Sequence, residues 1–338
     1  MGRHHTPEHP AHRDRSAVRT SVLALAGLTV FVIAMIASYS GAFAKPRLHH
    51  LTVAVSAPQP IVEALQDQDA LAVTVVDDAT AARRQVYERR ADTALAVTAD
   101  DTMTVYVAGG GGRSVAAAAE AVGRTAAQNA GLTPVVEDVA PTSAGDPSGT
   151  VEFYAVIFVS IGASLGAALL GRTMGAVRTP TTLGLRTASL AVFSAALAAV
   201  VTLYVGPVLG ALTTNTWQVF GALWLYAMAV AGAVTGVAAA FGGVASVVLG
   251  LFLVVVGNAA AAGPVGRPLL SGFYAAFSAV VPQGSGVSLL RSVSYFGGHG
   301  AAAPLVTLAV WAGAGALLAV LATAARVNYR ARYEHRAG

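Results

Sequence analysis

Ser21 to Ala44 reads SVLALAGLTVFVIAMIASYSGAFA, 24 residues without a charge. As an α-helix the run is about 36 Å long, enough to cross a hydrocarbon core of about 30 Å with some tilt. Arg13, Arg15 and Arg19 precede it, which predicts a cytoplasmic N-terminus because basic residues are retained on that side of the membrane. Ala42-Phe43-Ala44 before Lys45 also has the small-residue form of a secretory cleavage site, so the run reads as a retained span or as a signal segment. Its length favours retention. In both cases the residues after Lys45 face outward.

On the N-terminal side, residues 1 to 20 are polar, contain Pro7 and Pro10, and lack apolar periodicity, which predicts a disordered cytoplasmic arm. Its four histidines, His4, His5, His9 and His12, have no fixed geometry and specify no metal site. On the other side, residues 45 to 150 form a composition island with 8 basic and 13 acidic side chains. Leu51 to Val55, Val73 to Val76, Ala94 to Val97 and Thr102 to Val107 read as strands. Ala79 to Arg90 reads as a helix capped by Asp78, and Ser114 to Ala130 as a second helix stopped by Gly131. A small α/β fold is expected, with Pro141 to Thr150 as the linker back to the membrane.

Five further apolar runs follow, at about 153 to 171, 187 to 211, 217 to 240, 244 to 263 and 304 to 325. Arg172, Arg178 and Arg186 fall after the first of these, and Arg326, Arg330, Arg332 and Arg336 follow the last. With the N-terminus inside and six spans, both groups lie in the cytoplasm, as basic residues should. The expected fold is therefore a membrane all-α six-helix bundle with a small extracytoplasmic α/β domain inserted after the first span. The five-span membrane domain occupies 151 to 327 and a cytoplasmic tail 328 to 338. Between the last two spans, 264 to 303 is too long for a turn. Its apolar stretch from Leu269 to Val281 is 13 residues, too short to span, and Pro282-Gln283-Gly284 interrupts it. It reads as a re-entrant or interfacial helix, or as an ordinary outer loop packed on the bundle.

Composition narrows the chemistry. The 338 residues are 55% hydrophobic and 11% charged, too apolar for a soluble chain. No basic cluster stands beside aromatic residues in a folded segment, so the net charge of +4 marks topology and not a nucleic-acid partner. Cysteine is absent, which removes disulfides and thiol nucleophiles. Lys45 is the only lysine, so Gly109 to Gly112 cannot be a phosphate-binding loop, which needs a lysine after its glycines. That run reads as a flexible turn. No spacing of Ser, Tyr and His specifies a nucleophile and base, and the chain reads as a non-enzyme without a cofactor.

The spans as drawn contain no Asp, Glu, Lys or His, and their only amides are Gln218 and Asn258. Coupling to a proton or sodium gradient is therefore disfavoured, unless backbone carbonyls coordinate the ion. Glycine pairs four apart, Gly162 and Gly166, Gly206 and Gly210, Gly232 and Gly236, permit close helix packing within the bundle or at a dimer face.

Leu269-Leu270-Ser271-Gly272-Phe273-Tyr274, then Val281-Pro282-Gln283-Gly284-Ser285-Gly286-Val287 and Leu289-Leu290-Arg291, resemble the region before the last span of ABC-2 type transporter permeases of the YhgE/Pip (phage-infection-protein-like) branch. The layout of one span, an outer domain and a five-span block is similar to that family over roughly residues 20 to 330. The resemblance implies a multi-pass cell-membrane permease that pairs with a second copy and with a cytoplasmic ATPase and exports an amphipathic or polymeric substrate. Arg172, Arg178 and Arg186 would by position touch the ATPase, and Asn258, Pro282, Gln283 and Arg291 are the substrate-path or gating candidates. The alternative is a non-transporting membrane protein that presents its outer domain to envelope components or a partner chain.

Overall fold

The computed structural model describes residues 12–98, 101–175, 177 and 179–337. Helix α1 covers His12–Phe43 and so begins inside the stretch expected to be a disordered arm, of which residues 1–11 lie outside the described residues. Once a helix exists, each added residue closes one hydrogen bond, so the span extends back through the basic residues that precede it. From Val18 to Ile36 most large apolar side chains of α1 are exposed, Phe31 and Met35 being half-buried, and its last turns, through Ser38, Tyr39, Ala42 and Phe43, pack on the rest of the protein. Such a surface is stable in hydrocarbon and not in water.

The α/β domain follows as β1 (Leu51–Ser56), α2 (Gln59–Gln66), β2 (Leu71–Val75), α3 (Ala79–Tyr87), β3 (Thr93–Thr98), β4 (Thr102–Val107), α4 (Arg113–Asn129) and β5 (Thr133–Asp138). The sheet order is β2-β1-β3-β4-β5. All neighbours are parallel except the β3–β4 hairpin, in which Leu95 pairs with Val105. Side chains alternate across the sheet. Leu51, Val53, Leu95 and Val105 point to the face covered by α2 and α4, while Ala54, Ala94 and Ala96 line the face covered by α3. Asp78 caps α3 by accepting from the Ala81 amide at 2.6 Å, as the sequence suggests. Helix α2 and strand β5 carry no comparable sequence signal. The first is only 8 residues long, and the second contains Pro134, which suits a sheet edge.

The membrane block consists of α5 (Val151–Thr173), α6 (Pro180–Leu203), α7 (Thr216–Phe241), α8 (Gly243–Phe252), α9 (Gly272–Val280), α10 (Pro282–Tyr295) and α11 (Ala302–Ala337). Helix α6 ends in a π-turn at Tyr204–Val208, which holds Pro207, and α8 ends in another at Leu253–Gly257. Helix α7 is central: 67% of its most apolar window is buried, against 17% for α11. Gly232 and Gly236 on α7 lie directly against Gly315 on α11, and Gly166 on α5 against Phe193 on α6. These glycines therefore work within the bundle. Gly206 and Gly210 form no helix seam, since one lies in the π-turn and the other in the loop after it with φ of 67°.

Five described helices are long and apolar enough to cross a membrane, six if the bent pair α9–α10 is one crossing. The protein is thus a helical, multi-pass membrane protein with an inserted α/β domain. The expected span at 244 to 263 is corrected: the helix there is Gly243–Gly257, about 22 Å long and too short to cross alone. The interruption at Pro282 is a bend of 73° between α9 and α10, with Val281 in extended conformation. Proline disfavours helix in the residue before it, which explains the break. The C-terminal stretch expected to be a separate tail continues α11 to Ala337.

Candidate functional site

The glycine run is where the two halves of the molecule join. Gly109–Gly111 form a single 3₁₀ turn, with the Gly109 amide donating to Asp138 Oδ1 at 3.0 Å and the Gly110 amide to the Ala140 carbonyl at 2.7 Å. Gly110 is packed on the ring of Tyr295, Gly111 faces Phe296, and Gly112, with φ of 135°, lies beside the Arg291 guanidinium. The expected flexible turn is corrected to a buried seam, because glycine lets the backbone approach where a side chain would not fit. Phe296, just past α10, is 1% exposed and belongs to the apolar core under α3.

Two arginines cross this seam in opposite directions. Arg291, on α10 and 4% exposed, donates from Nη1 to the Gly111 carbonyl at 3.0 Å and from Nη2 to the Gly263 carbonyl at 3.0 Å. Arg89, just past α3, donates from Nη1 to the Ser288 carbonyl at 2.8 Å and to Ser292 Oγ at 2.5 Å, both on α10. Its guanidinium also stands 5.1 Å from the centroid of Phe296, a cation–π contact.

Arg89 occupies an unusual backbone position. Its amide donates to the Val86 carbonyl and that of Arg90 to the Gln85 carbonyl, the paired bonds of a Schellman helix end. The left-handed residue of that motif is ordinarily glycine, yet here an arginine takes φ of 59°. A left-handed conformation disfavours a residue with a Cβ by about 1–2 kcal/mol.

Between the halves lies a cavity of about 880 Å³. The α/β domain contributes His49, His50, Thr52, Arg89, Arg90 and Asp92. The membrane block contributes Ser278, Ser285, Ser288 and Arg291, with Ala261, Ala262, Ala275 and Ala279 as an apolar wall. Of the four described non-glycine residues with positive φ, His50, Arg89 and Ala262 line this cavity. Such conformations gather where the surrounding structure holds residues for a task.

The wall is cationic. Arg89, Arg90, Arg267 and Arg291 line it against a single carboxylate, Asp92, whose Oδ2 already accepts from the Thr52 amide at 3.0 Å and hydroxyl at 2.7 Å. Arg90 pairs with Glu88 at 3.2 Å, whereas Arg89, Arg267 and Arg291 make no ion pair within 4.0 Å among the described residues. Burial, reinforced by repulsion from Arg291 and opposed by Asp92, pulls Arg89 down to about 10. It remains charged at neutral pH.

Of the substrate-path candidates, Arg291 lines the cavity, whereas Asn258, Pro282 and Gln283 are buried outside its lining, with Gln283 packed on Gly257 of the π-turn that ends α8. Gln283 Nε2 donates to Ser160 Oγ at 3.1 Å and to the Leu253 carbonyl at 3.0 Å. Ser38 of α1 donates to the Val255 carbonyl at 2.8 Å, so side chains satisfy carbonyls of the π-turn. Asn258, 1% exposed, faces Tyr39, and neither of its amide atoms has a hydrogen bond of standard geometry.

One exclusion drawn from the sequence is corrected. Glu152 belongs to the first turn of α5 and is 0% exposed, so the membrane helices do carry an acidic side chain. It faces Arg291 and Tyr295, from a helix N-terminus that favours negative charge.

Of the three arginines assigned to an ATPase contact, Arg172 is exposed in the last turn of α5, and Arg178 lies outside the described residues. Arg186 is 5% exposed and donates to the Ala167 carbonyl at 3.2 Å and the Gly175 carbonyl at 2.9 Å. Arg326 likewise donates to the Val177 carbonyl at 2.7 Å and to the Ala239 carbonyl. Arg326 thereby meets the last turn of α7, where unpaired carbonyls attract cations, whereas Arg186 ties α6 to the body of α5 and to the loop after it. Sequence reasoning missed Arg89, Asp92, His49 and His50, because nothing in their spacing reveals that α10 will pack against α3. No protein-family model, curated protein or solved structure matches the chain.

Proposed function

We propose that this chain is the membrane half of an export permease of ABC-2-like type, working as a homodimer with a separate cytoplasmic ATPase. Both termini are cytoplasmic in this proposal and the α/β domain is extracytoplasmic. One observation carries it: the cavity is walled on one side by membrane helices and on the other by the α/β domain, so a molecule inside meets apolar and cationic surfaces together. Its volume of about 880 Å³ is within the range of ligand sites, about 300–1,000 Å³, and suits an amphipathic substrate better than a polymer.

The rival role, presenting the domain to envelope components, asks for a separable module. Burial of Gly110 and Phe296 against and beside α10 favours coupled halves instead. The energy source is assigned to a partner because the chain has no lysine beyond Lys45 for a phosphate-binding loop. Glu152 favours structural charge balance for Arg291 over proton coupling, since it faces that arginine.

The test is efflux of a fluorescent amphipathic dye from cells that express the chain with its partner ATPase. Disabling the ATPase should stop efflux, and Arg172→Gln should reduce co-purification of the two proteins. Efflux that continues unchanged without ATP hydrolysis would overturn the proposal.

A further inference from the structure

We infer that the junction cavity binds the phosphate group of an anionic amphiphile, with Arg89 as its main ligand and Arg291 and Arg267 completing a cationic rim. The inference rests on reading this cavity as the substrate site and names the substrate class. Three features support it together.

The first is an excess of donors. Arg89 and Arg267 make no ion pair among the described residues, and the hydrogen bonds of Arg89 engage Nη1 and Nη2 and leave its Nε without a partner among the described residues, while Arg291, which faces Glu152, adds charge to the rim. The one wall carboxylate, Asp92, is engaged by Thr52. Guanidinium groups bind phosphate and carboxylate, but donors arriving from opposite walls suit a tetrahedral group with several acceptor oxygens better than a planar one.

The second is the backbone at Arg89. A left-handed arginine at a helix end is disfavoured relative to glycine, and what it provides in return is a guanidinium held over the cavity by Ser288, Ser292 and Phe296. The third is the opposite wall. Ala261, Ala262, Ala275 and Ala279 offer an apolar surface flanked by Arg267 and Arg291, which donate to the Ala275 and Ala262 carbonyls, so an acyl chain can begin beside the phosphate.

The experiment uses the purified full-length protein. Native mass spectrometry would measure retention of phosphatidate against phosphatidylcholine from mixed vesicles, and calorimetry would measure inorganic phosphate in parallel. Wild type should retain phosphatidate selectively. Arg89→Gly, which suits the backbone of the helix end, should remain folded by circular dichroism and weaken retention about tenfold or more, the loss of one charge-assisted contact.

Arg84→Gln, an exposed arginine away from the cavity, should retain the lipid as wild type does. Equal retention by wild type and Arg89→Gly, or an equal loss in Arg84→Gln, would overturn the inference. Tight binding of inorganic phosphate with no lipid selectivity would also overturn the amphiphile, leaving a soluble phosphate as the ligand. The two proposals fail separately. ATPase-dependent dye efflux by a protein that retains no phosphatidate sinks the headgroup alone, whereas phosphatidate retention without such efflux sinks the permease alone.

Discussion

Gly110 and Tyr295 are in direct contact: the backbone of one lies so close to the ring of the other that a Cβ at position 110 would overlap it. This contact joins the α/β domain to α10, and through α10 to α5, α7 and α11. Gly110→Ala is therefore expected to destabilise the protein by about 1–3 kcal/mol through overpacking. Gly111→Ala provides the contrast, because its Cβ would meet Phe296 at an ordinary 3.5 Å. Thermal unfolding in detergent checks both, and a Gly110→Ala protein as stable as wild type would contradict the seam.

Gly236 on α7 makes the corresponding contact within the bundle, against the backbone of Gly315 on α11. Alanine there should force the two helices apart and lower stability by about 1–3 kcal/mol. At Gly221 on the same helix, a Cβ would have nothing within 4 Å, so alanine there should be neutral or stabilising by up to about 1 kcal/mol, its gain in helix propensity. Opposite signs for one substitution on one helix separate packing from propensity. Unfolding curves in mixed micelles would measure them.

Arg89 sets the expected pH dependence. Burial lowers its pKa in the folded chain to about 10, well below the ordinary guanidinium value. The folded state therefore disfavours the charged form. Its unfavourable contribution to stability is fully present below about pH 10 and is relieved as pH rises above that, towards the ordinary guanidinium value. Ligand binding follows the opposite sense, since the anion needs the charge. Phosphatidate retention should be flat from about pH 7 to about pH 9 and decline above about pH 10, where Arg89 begins to lose its proton. A decline already complete by about pH 8 would point to other groups and count against Arg89 as the main ligand.

Much of the fold was legible because its signals are local. Uncharged runs of bilayer length marked α1, α5, α6, α7 and α11, and alternation with Asp78 and Gly131 marked most of the α/β domain. Where the expectation failed, a short element or a break was responsible. The apolar run at 244 to 263 looked like a span, but its helix is short and ends in a π-turn, a change of hydrogen-bond register that hydropathy does not record. Gly109–Gly112 looked like a flexible turn because glycine permits both freedom and close approach, and only the partner surface, Tyr295, decides between them.

Which segments seek hydrocarbon and which seek water is legible in local composition, because transfer free energy is a sum over residues and can be read along the chain. The site was a matter for the tertiary structure alone. Arg89 and Arg291 are 202 positions apart, and Ser288, Phe296 and Gly111 join them only after α10 docks on the α/β domain. Charge, burial and hydrogen-bond satisfaction belong to such long-range contacts, so the cationic cavity became visible only when the two halves were in place.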